Sequence, residues 1–176
     1  MVQDIERLPN INQLAPNHVP GHGLRDMVGG DFAKFMKGRE TCSSQLCYAL
    51  NRTGAFIDKL DRYANYQMIK GGVPRAVLGG DGRLYIFSVI DMVVYLNGRH
   101  GRCSTLKSHE AVKKLQGVEG IIAYGYRHID IWGKWSDQFQ PHYYNCINDP
   151  SCKRNGVFFW PLFRKSSYWD DMPAPK

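Results

Sequence analysis

Long apolar runs are missing from this 176-residue chain. None approaches the roughly 20 residues that a helix needs to cross a bilayer, so membrane insertion is not expected. The opening stretch, MVQDIERLPNINQLAPNHVPGHG, lacks the apolar core of a signal peptide. Any export is therefore expected to use another route. Repeats and low-complexity linkers are missing as well, and the length suits a single domain over residues 1–176. Acidic residues are the scarcer charge: 16 Asp and Glu face 23 Lys and Arg, for a net +7. The basic residues form no long run. Such a balance suits any acidic polymer, a nucleic acid or a cell wall among them, or simply a solvated basic surface. Zinc-finger spacing, a helix-turn-helix signature and an RNA-recognition motif are all absent. A basic nucleic-acid-binding protein is therefore the weaker of two alternatives.

What is present is a hydrophobic content of 43% with 12% aromatics, including 10 Tyr and 4 Trp. This is enough for a core and for an aromatic cleft or interface. Pro9, Pro16 and Pro20 predict that residues 1–20 form an extended arm on the surface. RDMVGGDFAKFMKG predicts a short helix after a Gly-Gly turn. Thr41 as N-cap and Gly54 as stop predict a helix from Cys42 to Arg52. LYIFSV (84–89) reads as a strand and IDMVVYLNG as a helix, with Ser108 placed to cap HEAVKKLQG. GIIAYGYRHIDIW reads as strand, followed by a turn at Gly133-Lys134, and VFFWPLF as a strand broken by Pro161. Helices first and strands after predict an α+β fold, helices packed on an antiparallel sheet.

Cysteine is scarce, with five in all, and two of them lie close in ETCSSQLCYALNRTG. On a helix, Cys42 and Cys47 are separated by roughly 7.5 Å along the axis and about 140° around it. A disulfide needs Cα atoms within about 7 Å and converging side chains, and a metal needs convergence too. The two are therefore not a pair. Cys42 falls in the first turn, where free N–H groups and the helix dipole favour a thiolate. Cys47, mid-helix beside Leu46 and Leu50, reads as a small core hydrophobe.

A thiol nucleophile needs a base and a group to orient it. Strand alternation in YRHIDIW places Ile129 and Ile131 on one face and His128, Asp130 and Trp132 on the other. A polar outer strand face would have the same pattern. A helix-start cysteine followed far downstream by a strand histidine is nonetheless the chain order of papain-like enzymes. Two aspartates are candidates to orient His128. Asp130, two positions along the strand, is expected beside the ring. Asp137 is expected to return across a hairpin to the far nitrogen, and is mildly favoured. Cys146 and Cys152 flank INDPS and suit a disulfide, or with His142 three ligands of a metal that lacks an evident fourth. Cys103 reads as a structural or exposed free thiol.

These stretches together resemble the fourth family of type VI secretion amidase effectors. That family carries a Cys-x-x-Arg-Met-Ser-Tyr-x-Leu-Asn-x-x-Gly helix, matched here at Cys42, Tyr48, Leu50, Asn51 and Gly54. YIFSVIDMVVYL (85–96), GIIAYGYRHIDIW and SDQ (136–138) resemble its later blocks, in the same order over residues 27–137. The resemblance implies a papain-like, NlpC-type cysteine peptidase fold with Cys42 as nucleophile, His128 as base and Asp137 as orienting acid. No cofactor or metal is implied. The implied reaction is hydrolysis of the amide between D-glutamate and meso-diaminopimelate in peptidoglycan stem peptides. The implied route is type VI secretion, without a signal peptide, into the periplasm of a rival Gram-negative cell. The implied partners are the secretion components and a cognate immunity protein that blocks the active site. A same-fold cysteine hydrolase acting on another amide is the enzyme alternative. Gln45 stands where the family has arginine and Cys47 where it has serine. Trp135 and Phe139 stand beside Ser136-Asp137-Gln138 where some members place a disulfide. Gln45 is not expected to assist catalysis, whereas the Cys42 N–H is a natural oxyanion donor.

Overall fold

The computed structural model describes residues 6–57, 69–70, 73–133 and 146–162. Its N-terminal part is helical: α1 Ile11–Leu14 with a 3-10 turn over Ala15–Asn17, α2 Gly21–Val28, α3 Gly30–Phe35 and α4 Cys42–Arg52. Two short antiparallel pairs follow, β1 Ile69–Lys70 with β2 Val73–Pro74 and β3 Ala76–Leu78 with β4 Leu84–Ile86. Then come α5 Val89–His100, β5 Ser104–Leu106, α6 Ser108–Lys114, β6 Gly120–Tyr124, β7 His128–Trp132, α7 Pro150–Asn155 and β8 Val157–Pro161. The main sheet has the order β5-β8-β6-β7, antiparallel throughout. The fold is α+β, with helices set against antiparallel sheet, as the element order predicts.

Helix α4 is the axis of the molecule. It packs on β7 and β4, and eight of its eleven residues are buried, Ser43, Ser44 and Asn51 among them. Buried polar groups need partners, and β4 supplies them to Ser44 and Asn51, while Ser43 Oγ has none among the described residues. Pairing with β3 uses only one edge of β4, which leaves the backbone groups of Leu84 and Ile86 facing α4. Asn51 Nδ2 donates to Leu84 O at 3.1 Å, and Ser44 Oγ donates to Ile86 O at 3.3 Å. The Ile86 N–H donates to Cys47 Sγ at 3.3 Å. One helix face therefore satisfies a buried strand edge that would otherwise be orphaned. Cys47 is fully buried, and burial pushes its thiol up to about 12. It is an inert packing residue.

The N-terminal segment departs from the expected surface arm. Ile11 and Leu14 are fully buried in the main core. Asn10 and Gln13 form a capping box around α1, Asn10 Oδ1 accepting from the Gln13 N–H at 3.0 Å. The proline spacing suggested extension, but the box and the Ile11/Leu14 spacing are helical signals that prevail. Three smaller differences follow the same logic. GIIAYGYRHIDIW is a hairpin, turned at Gly125, whose φ of 57° favours glycine. RDMVGGDFAKFMKG contributes to two helices, α2 and α3, hinged at Gly29. Ser108 opens α6 as its first residue rather than capping it.

Candidate active site

The described residues bring Cys42, His128 and Asp130 together where the start of α4 meets β7. Thr41 occupies the N-cap position but makes no side-chain cap, so no hydroxyl competes for the first-turn N–H groups. The alternation read from the sequence holds: Ile129 and Ile131 are buried, while His128 and Asp130 face the other way and are half-buried. The expectation for Asp130 does not hold. Its Oδ2 lies 3.5 Å from His128 Nε2. Two residues on one strand face are close enough for the carboxylate to lean onto the ring's far nitrogen. With Nε2 facing Asp130, Nδ1 is the nitrogen left to meet the Cys42 thiol, which is hydrogen-bonded to His128. Asp137 and His142 lie outside the described residues.

The electrostatics agree with this geometry. Burial disfavours a Cys42 thiolate, but the hydrogen bond to His128, the charge of that ring and the N–H groups of Ile129 and Ser43 outweigh it. The thiol is held below its ordinary value. Burial also opposes charge on His128. The bonds to Asp130 and Cys42 overcome it and push the imidazole up to about 9. Asp130 follows suit: burial raises it, but His128, His18 and the Ile131 N–H hold it below the usual carboxylate range. A lowered thiol beside a raised imidazole favours passage of the thiol proton to the ring.

A cleft of about 500 Å³ opens over the cluster, lined by Glu40, Thr41, Cys42, Arg127, His128, Cys146 and Asp149. Arg127 and Glu40 pair across its rim at 3.2 Å, both well exposed. The cleft therefore carries the Cys42 thiol and the His128 ring, and its rim carries charges of both signs.

The remaining thiols are of another kind. Cys146 and Cys152 are free and buried in a second core cluster, so the disulfide expected of them is not formed. Cys152 Sγ instead donates to Gly156 O within its own helix end, at 3.7 Å. Burial pushes both up to about 11. Among the described residues, no cluster of three His, Cys, Asp or Glu side chains is arranged to hold a metal ion. Cys103 is half-buried against the main core, and burial raises it. Sequence reasoning missed two contributors. Gln45, not expected to assist catalysis, donates from Nε2 to Val19 O at 2.7 Å and so ties the N-terminal segment to α4. His18, at the end of that segment, lies against Asp130 with Nε2 at 3.7 Å from Oδ1.

Fold and cleft together define an α+β protein with a thiol, an imidazole and a carboxylate gathered at a helix–sheet junction. The particular fold is one seen in type VI effectors. The effector Tae4 from Salmonella typhimurium, in complex with the immunity Tai4 from Enterobacter cloacae, superposes with a TM-score of 0.55 at 22% identity. That match covers 88% of this chain and 99% of the effector. Tae4 in the type VI effector–immunity complex from Enterobacter cloacae gives 0.57 at 21% identity, over 86% and 94% of the two chains. The Enterobacter cloacae effector Tae4 alone gives 0.56 at 20% identity, over 86% and 92%. No family model and no curated protein matches the chain. The structures that share this fold are effectors of the kind the sequence blocks resemble.

Proposed function

We propose that this chain is a peptidoglycan amidase of the papain-like, NlpC-type fold, a type VI secretion effector that hydrolyses the amide between D-glutamate and meso-diaminopimelate. The observation that carries the reading is the meeting of Cys42, His128 and Asp130, the first two lining an open cleft. The fold shared with Tae4 effectors and the matched sequence blocks support it. A net charge of +7 suits an anionic cell wall.

In this reading the Cys42 thiolate attacks the amide carbonyl carbon, forming a C–S bond. The negative charge that develops on oxygen is met by the Cys42 N–H at the start of α4. His128, as imidazolium, gives its proton to the leaving amine of meso-diaminopimelate as the C–N bond breaks. A thioester remains. His128, now neutral, takes a proton from water, whose oxygen attacks the thioester and releases the D-glutamyl carboxylate. The thiolate and imidazolium are restored. Asp130 holds His128 with Nε2 turned away from the substrate, which keeps Nδ1 on the thiol. The sequence resemblance gives this part to Asp137; the contact at 3.5 Å favours Asp130. The Tai4 partners of the Tae4 structures support a cognate immunity protein; in this reading it covers the cleft. The periplasm of a target cell is the compartment that presents the substrate. Among the described residues, no helix is long and apolar enough to cross a membrane.

The test is hydrolysis of purified muropeptides by the protein and by Cys42→Ala. Cleavage that stops with the substitution is expected. Equal cleavage by both would remove Cys42 from the reaction.

A further inference from the structure

The N-terminal segment reaches the catalytic cluster and is held there at three places. At residue 6, the Glu6 N–H donates to Arg99 O at 2.9 Å, and Arg99 Nε donates to Glu6 Oε2 at 2.7 Å. In the middle, Ile11 and Leu14 are sunk in the core. At the end, Gln45 grips Val19 O. His18 lies between the last two anchors. Its side chain is only 17% exposed, and its Nε2 is shut off from solvent with no hydrogen-bond partner. That nitrogen lies 3.7 Å from Asp130 Oδ1, just outside hydrogen-bond range and well within reach of a carboxylate's field.

The two oxygens of Asp130 are thereby divided. Oδ1 accepts from the Ile131 N–H at 2.7 Å and faces His18; Oδ2 faces His128. We propose that His18 is a positioning residue for the reaction: from the N-terminal segment it holds Oδ1 of Asp130, so that Oδ2 stays on His128 Nε2. The inference rests on the reading of Cys42, His128 and Asp130 as the reacting group. It gives Gln45 a purpose, since the side chain that replaces the family's arginine fixes the segment bearing His18.

Burial keeps His18 below its ordinary value and so favours the uncharged ring; in the proposed role its N–H is on Nε2, turned toward Asp130 Oδ1. Among the described residues, the groups facing Asp130 are His18, His128 and, more distantly, Cys146. Those facing His128 are Cys42, Asp130 and the stacked ring of Tyr124, with His18 beyond. Glu40, Arg127 and Asp149 line the cleft outside. When the His18 N–H is removed, Asp130 holds the imidazolium less firmly. His128 then loses its proton at lower pH, and Cys42 needs higher pH to ionise. The active window narrows from both sides.

The experiment is the pH profile of iodoacetamide alkylation at Cys42, followed by mass spectrometry, with muropeptide kcat and KM alongside. His18→Phe keeps the bulk and removes the donor; His18→Gln keeps an N–H at the position of Nε2. A narrowed window and a kcat about 10-fold lower at unchanged KM are expected for Phe, with a near-normal window for Gln. A normal window for Phe, or equal narrowing by Gln, would overturn the proposal. If His18→Phe does not fold, Gln45→Ala replaces it; the same narrowing is expected, and an unmoved window overturns the proposal. Alkylation needs no peptidoglycan. An unaltered protein that fails to cleave muropeptides but alkylates at a His18-dependent Cys42 therefore refutes the substrate and not the role of His18.

Discussion

Replacing Asp130 with asparagine removes one charge and almost no volume, so it isolates what the carboxylate does for His128. The imidazole stands at about 9 against an ordinary 6.5. At 1.36 kcal/mol per pKa unit, the protonated ring is favoured by about 3 kcal/mol after burial has been overcome. Coulomb's law gives a figure of the same order for unit charges at this separation with an effective dielectric of about 20. Asp130 and Cys42 share the effect, but the thiolate itself depends on the imidazolium, so losing Asp130 weakens both members. A loss on the order of 100-fold in kcat/KM is expected. The alkaline limb of the pH profile should move from about 9 toward the ordinary histidine range. The assay is release of the diaminopimelate amine from purified muropeptides between mildly acidic and alkaline pH, with Asp137→Asn in parallel. An Asp130→Asn enzyme of near-normal rate and limb, beside a crippled Asp137→Asn, would refute the reasoning and hand the orienting role to Asp137.

Further expectations come from the same structure. Cys42 alone among the five cysteines has a lowered thiol, whereas Cys47, Cys103, Cys146 and Cys152 are all raised. Brief alkylation at neutral pH should therefore label Cys42 and spare the others; equal labelling of Cys146 would contradict the picture of the cleft. Asn51→Ala orphans Leu84 O and the Ile57 N–H, which Asn51 now satisfies at 3.1 and 2.8 Å. About 2–4 kcal/mol of stability should be lost in urea unfolding, and a change within experimental scatter would show that the β4 edge is satisfied otherwise. Arg127→Ala removes an exposed ion pair of little worth to stability. It should leave Tm unchanged while raising KM for charged stem peptides, and an unchanged KM would take Arg127 out of substrate binding.

Local signals carried much of the fold and half of the site. Thr41 and Gly54 bracket α4 because helix ends are decided by nearby residues, and helix geometry alone separates Cys42 from Cys47. The alternation Ile129, Ile131 against His128, Asp130 is equally local. What escaped was set by distant partners. Asp130 reaches Nε2 because of where β7 lies against α4, which strand spacing does not tell. His18 and Gln45 gain their meaning only when the N-terminal segment folds back along α4. Even there a signal existed: the Asn10–Gln13 box and the Ile11/Leu14 pair marked a buried helical turn among prolines that suggested an extended arm. Cys146 and Cys152 show the converse case, since a spacing that permits a disulfide does not require one: both thiols are free within one buried cluster.

If Cys42 performs amide hydrolysis on peptidoglycan, digestion of purified Gram-negative sacculi followed by mass spectrometry of the soluble fragments will show it. Fragments with a new amino group on meso-diaminopimelate and a stem ending at D-glutamate are expected, all absent with Cys42→Ala. Intact sacculi after treatment with the folded protein, or the same fragments from Cys42→Ala, would contradict it.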